Sequence, residues 1–222
     1  MLNNLFKNKK KRYISLLLVL MPFVILICVF GFITVKSVGN VVGNVSSAPT
    51  FSNSIDTMDY HLRGNATDYQ KDLFKELSNF VSEGDDEKIA ESVVKNFIAD
   101  YYTWTNKSGS YDIGGMYYVY SPLKANIIAQ SRDEFYKYLT KYIKDYGSND
   151  LLEVTDVSAV GGYFYTTYSI DGEDYKSFVY ECEWTYKETE KFDTSDFVTK
   201  AIFTIIKNND GRFEIVECYG EE

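Results

Sequence analysis

Few side chains in this chain are equipped for chemistry. His61 is its single histidine, so a Ser-His or Cys-His catalytic arrangement, or a histidine-bearing zinc site, would have to use it. It falls in a stretch that reads as linker, where an exposed histidine is the expectation. Of the three cysteines, Cys28 sits inside an apolar run and counts as one more apolar residue. Cys182 and Cys218 could form one disulfide in an oxidising compartment. A simple strand meander puts a strand between them, however, and two spacings of about 4.8 Å exceed the roughly 7 Å that bridged Cα atoms allow. Two buried free thiols are therefore expected.

Asp100 precedes, and Asp112 lies within, a loop from Asn106 to Gly115 that contains Gly109, Gly114 and Gly115. An acid/base pair needs apolar burial or a like-charge neighbour to separate the two roles. The sequence shows neither, so solvated surface carboxylates are expected. Asp112 to Gly115 lacks a phosphate-loop lysine, which leaves nucleotide binding unsupported. The aromatic wealth of Tyr101, Tyr102, Trp104, Tyr117, Tyr118 and Tyr120 suits either a core or a ligand pocket, since a ring with a polar tip serves both. Tyr101, Trp104, Asp112, Tyr118 and Trp184 are the candidate pocket or interface residues. No catalytic residue, cofactor or metal ligand is assigned.

The elements that must position these residues follow from hydrophobic period. Thr67 with Gln70 forms a capping box, and Tyr69, Leu73, Leu77 and Phe80 recur at helical spacing until Gly84, predicting a helix over 68–82. Asp85, Asp86 and Glu87 suit a helix N-terminus, and Ile89, Val93, Val94, Phe97, Ile98 and Tyr101 draw a wide apolar stripe over 86–103. Met116 to Tyr120 reads as a short strand or extended lead-in. Ser121-Pro122 opens a short helix through Gln130. Ser131 with Glu134 is a second capping box, starting an amphipathic helix that ends at Gly147. Beyond it the period changes to two. Five strand candidates follow, separated by hairpin signals at Gly161-Gly162, Asp171-Gly172 and Asn209-Asp210-Gly211. The stretch 176–187 alternates most cleanly, which requires one buried and one wet face.

Tyr13 to Val35 contains no charged side chain, and Lys7, Lys9, Lys10, Lys11 and Arg12 precede it. At about 1.5 Å per residue this run reaches the roughly 30 Å of a bilayer core. The basic cluster places residues 1–12 in the cytoplasm and everything after Lys36 outside. A retained signal anchor is favoured over a cleaved signal peptide, whose apolar core would span about 7 to 15 residues. Residues 36–66 read as a stalk, and 67–222 as the extracytoplasmic domain. Setting aside the six cations at 7, 9 to 12 and 36 leaves 17 basic against 32 acidic residues, near −15. That argues against nucleic acid and against an anionic lipid surface as direct partners of the domain. Abundant Tyr, Lys, Asn, Asp and Ile suggest an AT-rich bacterial source, so Asn44, Asn65 and Asn106 in Asn-x-Ser/Thr sequences are chance matches.

Helices followed by antiparallel strands predict an α+β domain with about three helices on a curved sheet of four to five strands. That order resembles the cone-shaped nuclear-transport-factor-like fold. With the basic stub and single anchor, the chain also resembles the bitopic bridging subunits of type IV secretion and conjugation machines, those of Gram-positive elements included. Phe97 to Tyr120, FIADYYTWTNKSGSYDIGGMYYVY, is similar to segments of membrane proteins of Gram-positive conjugative elements. The resemblance implies assembly rather than catalysis: a single-pass cell-membrane protein working with other envelope proteins or further copies of itself, without cofactor. The alternative is an outward-facing ligand-binding or enzymatic module that uses an aromatic pocket of the cone.

Overall fold

The computed structural model describes residues 51–162 and 166–220. The expected basic arm, the span 13–35 and the first part of the stalk lie outside the described residues, among which no helix is long and apolar enough to cross a membrane. The described chain is α+β, with four α-helices and a five-stranded antiparallel sheet beside a two-stranded hairpin.

The stalk expected to reach residue 66 is folded from residue 51 onward. β1 (Phe51–Ile55) pairs antiparallel with β2 (Tyr60–Arg63) through a tight turn that ends on Asp59 at φ 51°. Tyr60 is fully buried, and Ile55 and Leu62 join the core. The Tyr60 hydroxyl donates to the Phe213 carbonyl at 2.6 Å and accepts from the Phe213 N–H at 3.2 Å. His61 is therefore a strand residue, with Nε2 3.1 Å from Asp59 Oδ1 and its ring 4.8 Å from that of Tyr117. A polar, short-stranded hairpin has no sustained period, which is why its composition resembles a spacer.

α1 (Asp68–Glu83) and α2 (Asp86–Tyr101) start where their caps demand. Thr67 and Gln70 form the reciprocal capping box, and the Asp85 side chain accepts from the Lys88 N–H at 3.3 Å. The apolar stripe of α2 is buried along Ile89, Val93, Val94, Phe97 and Ile98. α2 contacts four of the five sheet strands, while α1 packs beside α2.

The second capping box is not used. α3 (Lys124–Asp133), entered through a 3-10 turn at Ser121–Leu123, runs straight through Ser131, whose hydroxyl donates back to the Ile127 carbonyl at 2.7 Å. Back-bonding of this kind is compatible with a helix interior and leaves the hydroxyl unavailable as a cap. It breaks at Glu134 (φ −116°, ψ −97°), where the chain turns Tyr136 into the core before α4 (Leu139–Tyr146). The expected single helix over 131–146 is thus two elements. Met116–Tyr118 is a 3-10 turn rather than a strand, although Val119 bridges Ile215 in parallel.

The strands are β3 (Val154–Gly161), β4 (Thr166–Ile170), β5 (Glu173–Tyr186), β6 (Lys200–Lys207) and β7 (Phe213–Gly220). Asp171 (φ 54°) and Gly172 (φ 85°) close the β4–β5 hairpin, and Gly211 (φ 83°) lies in the β6–β7 turn. Gly161-Gly162 does not make a hairpin. β3 and β4 instead follow one another along the same side of the long β5, with Gly161 opposite Tyr180 and Thr166 opposite Ser177. β6 separates the thiols as expected, Cys182 facing Ala201 and Cys218 facing Phe203, and both are free. Cys182 is buried, and burial pushes its thiol up to about 12. Cys218 is exposed, contrary to expectation. It lies near the end of β7, an edge strand.

Candidate functional site

The sequence candidates divide between two places. Trp104, Tyr118 and Trp184 are core residues, each no more than 3 % exposed. Tyr102 stacks on Trp184 at 4.3 Å, Phe97 on Tyr101 at 5.2 Å, and Tyr101 on Phe135 at 5.6 Å. Phe203 meets Phe97 edge-on at 5.7 Å, and Trp104 packs on Phe135 at 4.9 Å. Tyr118 belongs to a different neighbourhood, 5.2 Å from the Tyr60 ring. The five candidates therefore do not converge on one pocket. The space between helices and sheet is filled by rings, and a hollow of about 510 Å³ lined by Tyr69, Glu76, Lys95 and Asp156 among others lies outside it.

Asp112 belongs to a buried ionic cluster, and Asp100 joins it. Arg63, from β2, donates through Nη2 to Asp112 Oδ1 at 2.8 Å and through Nη1 to the Asn106 carbonyl at 2.8 Å. Its Nε lies 3.1 Å from Asp100 Oδ1. Lys107 Nζ donates to Asp100 Oδ1 and to Asn106 Oδ1, both at 2.8 Å. The side chains of Arg63 and Lys107 are 2 % and 0 % exposed, so both cations are dry. Two cations meet two carboxylates, which leaves the cluster without net charge.

Neutral partners complete it. Asn106 Nδ2 donates to Gln70 Oε1 at 2.7 Å, and Gln70 Nε2 donates to the Ala99 carbonyl at 2.7 Å. Ser108 N–H donates to Asp112 Oδ2 at 2.9 Å, and Gly115 N–H to Asp100 Oδ2 at 2.6 Å. The two glycines are required by close approach. A Cβ on Gly114 would lie 2.2 Å from the Asp100 carbonyl oxygen, and one on Gly115, at φ +78°, 2.6 Å from the Phe97 ring.

Electrostatics fix the protonation states. Burial works against ionising Asp100, but Lys107 and Arg63 together outweigh it and hold the carboxyl at about 2. Burial likewise opposes ionisation of Asp112, and the Arg63 guanidinium brings it below the ordinary carboxylate range. Burial lowers Lys107 to about 8 against the pull of Asp100. Both carboxylates are thus ionised and saturated near neutral pH, the opposite of the separated acid and base that hydrolytic pairs need. The surface expectation for Asp100 and Asp112 is corrected: they are a buried lock joining β2, α1, α2 and the 106–115 loop.

Sequence reasoning missed Arg63, Gln70, Lys107 and Glu214. Glu214, on β7 and 4 % exposed, accepts from Asn208 Nδ2 at 3.0 Å, and burial pushes its carboxyl above the ordinary value. Glu214 alternates with the inward Phe213 and Ile215, so the strand period pointed it outward, whereas β7 is buried on both faces from Phe213 to Val216. Arg63 and Lys107 gave no signal, because their partners lie far away in sequence. Among the described residues no cluster of three or more His, Cys, Asp or Glu could hold a metal ion. No family model, curated protein or solved structure matches the chain.

Proposed function

We propose that the chain is a membrane-anchored, extracytoplasmic assembly component of a cell-envelope machine of the conjugation or secretion type, working by contact rather than catalysis. The observation that carries this reading is the uncharged run Tyr13 to Val35 with five basic residues on one side and a domain near −15 on the other. A span of that length with one-sided basic flanks favours an N-in orientation. Packing supports the non-catalytic half of the reading. A pocket enzyme needs space beside its titratable groups, whereas rings fill the interior here, the lock holds its carboxylates ionised, and Lys107, although lowered to about 8, is fully buried against Asp100 and Asn106. Helices preceding an antiparallel sheet are also what a nuclear-transport-factor-like cone would require.

Orientation is tested by cysteine labelling in whole cells. In a Cys218→Ser background, Ser195→Cys should react with a membrane-impermeant maleimide in intact cells, and Asn3→Cys only after lysis. The reverse pattern, or recovery of the chain in the soluble fraction, would remove the basis of the proposal.

A further inference from the structure

β7 ends one side of the five-stranded sheet, and the first half of its outer side is occupied. There the Phe213 N–H and carbonyl meet the Tyr60 hydroxyl, and the Ile215 carbonyl accepts from the Tyr120 N–H at 3.0 Å. These bonds show which way the main chain points. Phe213 and Ile215 lie opposite Lys207 and Ile205 of β6, and after a bulge Cys218 and Gly220 lie opposite Phe203 and Ala201. In an antiparallel ladder, residues that face every second position of the partner strand turn their N–H and C=O groups the same way. Cys218 and Gly220 therefore also direct theirs away from β6, and no main-chain partner meets them there among the described residues.

An edge of this kind is a template for another strand, and proteins usually blunt it with Lys, Pro or a covering segment. Between Val216 and Gly220 there is neither Lys nor Pro, and Cys218, Tyr219 and Gly220 are exposed. The single charged side chain of the stretch, Glu217, is turned to its own sheet, accepting from the Tyr168 hydroxyl at 2.9 Å and the Thr204 hydroxyl at 3.1 Å.

We infer that the Val216–Gly220 edge pairs antiparallel with the same edge of a second copy of the chain, about a two-fold axis at Cys218. A two-fold contact is self-complementary, so the sequence must tolerate facing itself. Centring on Cys218 sets Glu217 opposite Tyr219 and Val216 opposite Gly220. A centre one residue earlier sets Glu217 opposite itself, and one residue later sets it opposite Glu221; like charges directly opposite are destabilising. The bridge from Val119 to Ile215 stops the pairing at Val216. Main-chain hydrogen bonds from Cys218 and Gly220 supply the affinity, as in other strand additions, and the short overlap makes the dimer reversible. The two sheets become one, with both helical layers on the same side. This inference holds whether or not the chain is anchored in a membrane.

The test is sedimentation equilibrium of the full-length chain in detergent micelles. The wild type should show a monomer–dimer equilibrium. Cys218→Lys, which sets two ammonium groups opposite each other at the axis, should raise the dissociation constant at least tenfold, while Cys218→Val should change it less than threefold. Hydrogen exchange of the wild type gives a second reading that needs no variant and decides alone if circular dichroism shows Cys218→Lys unfolded. The Cys218 and Gly220 amides should exchange at least tenfold more slowly in the dimer than in the monomer, with the β3 amides of Ser158 to Val160 unchanged. A monomeric wild type, a dimer indifferent to a folded Cys218→Lys, or protection of β3 together with β7, which would mean head-to-tail pairing, would each overturn the inference.

Discussion

Replacing Arg63 by Met should be among the most damaging single changes available in this domain. The substitution keeps an unbranched stem of similar length in the space beneath the 106–115 loop but deletes the guanidinium. Asp112 loses its 2.8 Å partner and keeps only the N–H and hydroxyl of Ser108, while Asp100 falls back on Lys107 and the Gly115 N–H. The Asn106 carbonyl loses its 2.8 Å donor as well. Removing one member of a buried ion pair costs about 3–5 kcal/mol, because the remaining charge stays dry. For a domain of this size that corresponds to a fall in Tm of roughly 6–20 °C. The comparison variant is Lys71→Met, which breaks a pair with Asp68 at the same 2.8 Å separation but with side chains 53 % and 96 % exposed. Such a surface pair contributes little, because solvent screens both charges. Urea unfolding of the full-length variants in detergent, with m-values held constant, gives both numbers. Equal destabilisation by the two substitutions would refute the claim that the cluster is a lock.

Other consequences follow from the same geometry. Asp100 has a folded pKa of about 2 against an ordinary value of 3.8, so its contribution is present above pH 3.8 and lost as pH falls from there toward 2. That amounts to on the order of 2 kcal/mol; urea midpoints of the wild type should drop through this window, and those of Asp100→Asn should drop less. Gly115→Ala combines a positive φ with a contact on Phe97, predicting a loss of roughly 2–4 kcal/mol, whereas Gly84→Ala, at φ +73° with open space around it, should cost only about 1–2. Glu214→Gln should be neutral or stabilising near pH 7, because burial raises the carboxyl and makes ionisation in the fold unfavourable; the difference from wild type should vanish as pH falls below the ordinary 4.5, where both chains carry a neutral group.

What could be read from sequence was local. Thr67 and Gln70 announced α1 because a capping box is contained within four residues. The aromatic alternation of β5 held because one strand meets the helices on one face and solvent on the other, with Phe178, Tyr180, Trp184 and Tyr186 buried and Glu181 and Glu183 exposed. The same local logic failed at Ser131, whose hydroxyl had a second acceptor in the Ile127 carbonyl. It also failed at Gly161-Gly162, where turn chemistry said nothing about which strand β3 would choose. The hairpin 51–63 was invisible because its stability comes from Tyr60 on Phe213 and Arg63 on Asp112, contacts made across most of the domain. Gln70 shows the limit most clearly. Its backbone role at the helix start was legible, but its side chain also accepts from Asn106 and donates to Ala99, which no local pattern encodes.

The proposal of a membrane-anchored assembly component is tested most directly by deleting the gene in a cell whose conjugation or secretion machine includes it, and complementing with the full chain or with residues 36–222 alone. Transfer or secretion should fall by orders of magnitude on deletion and return only with the anchored chain. Normal transfer and secretion in the deletion strain would contradict the proposal.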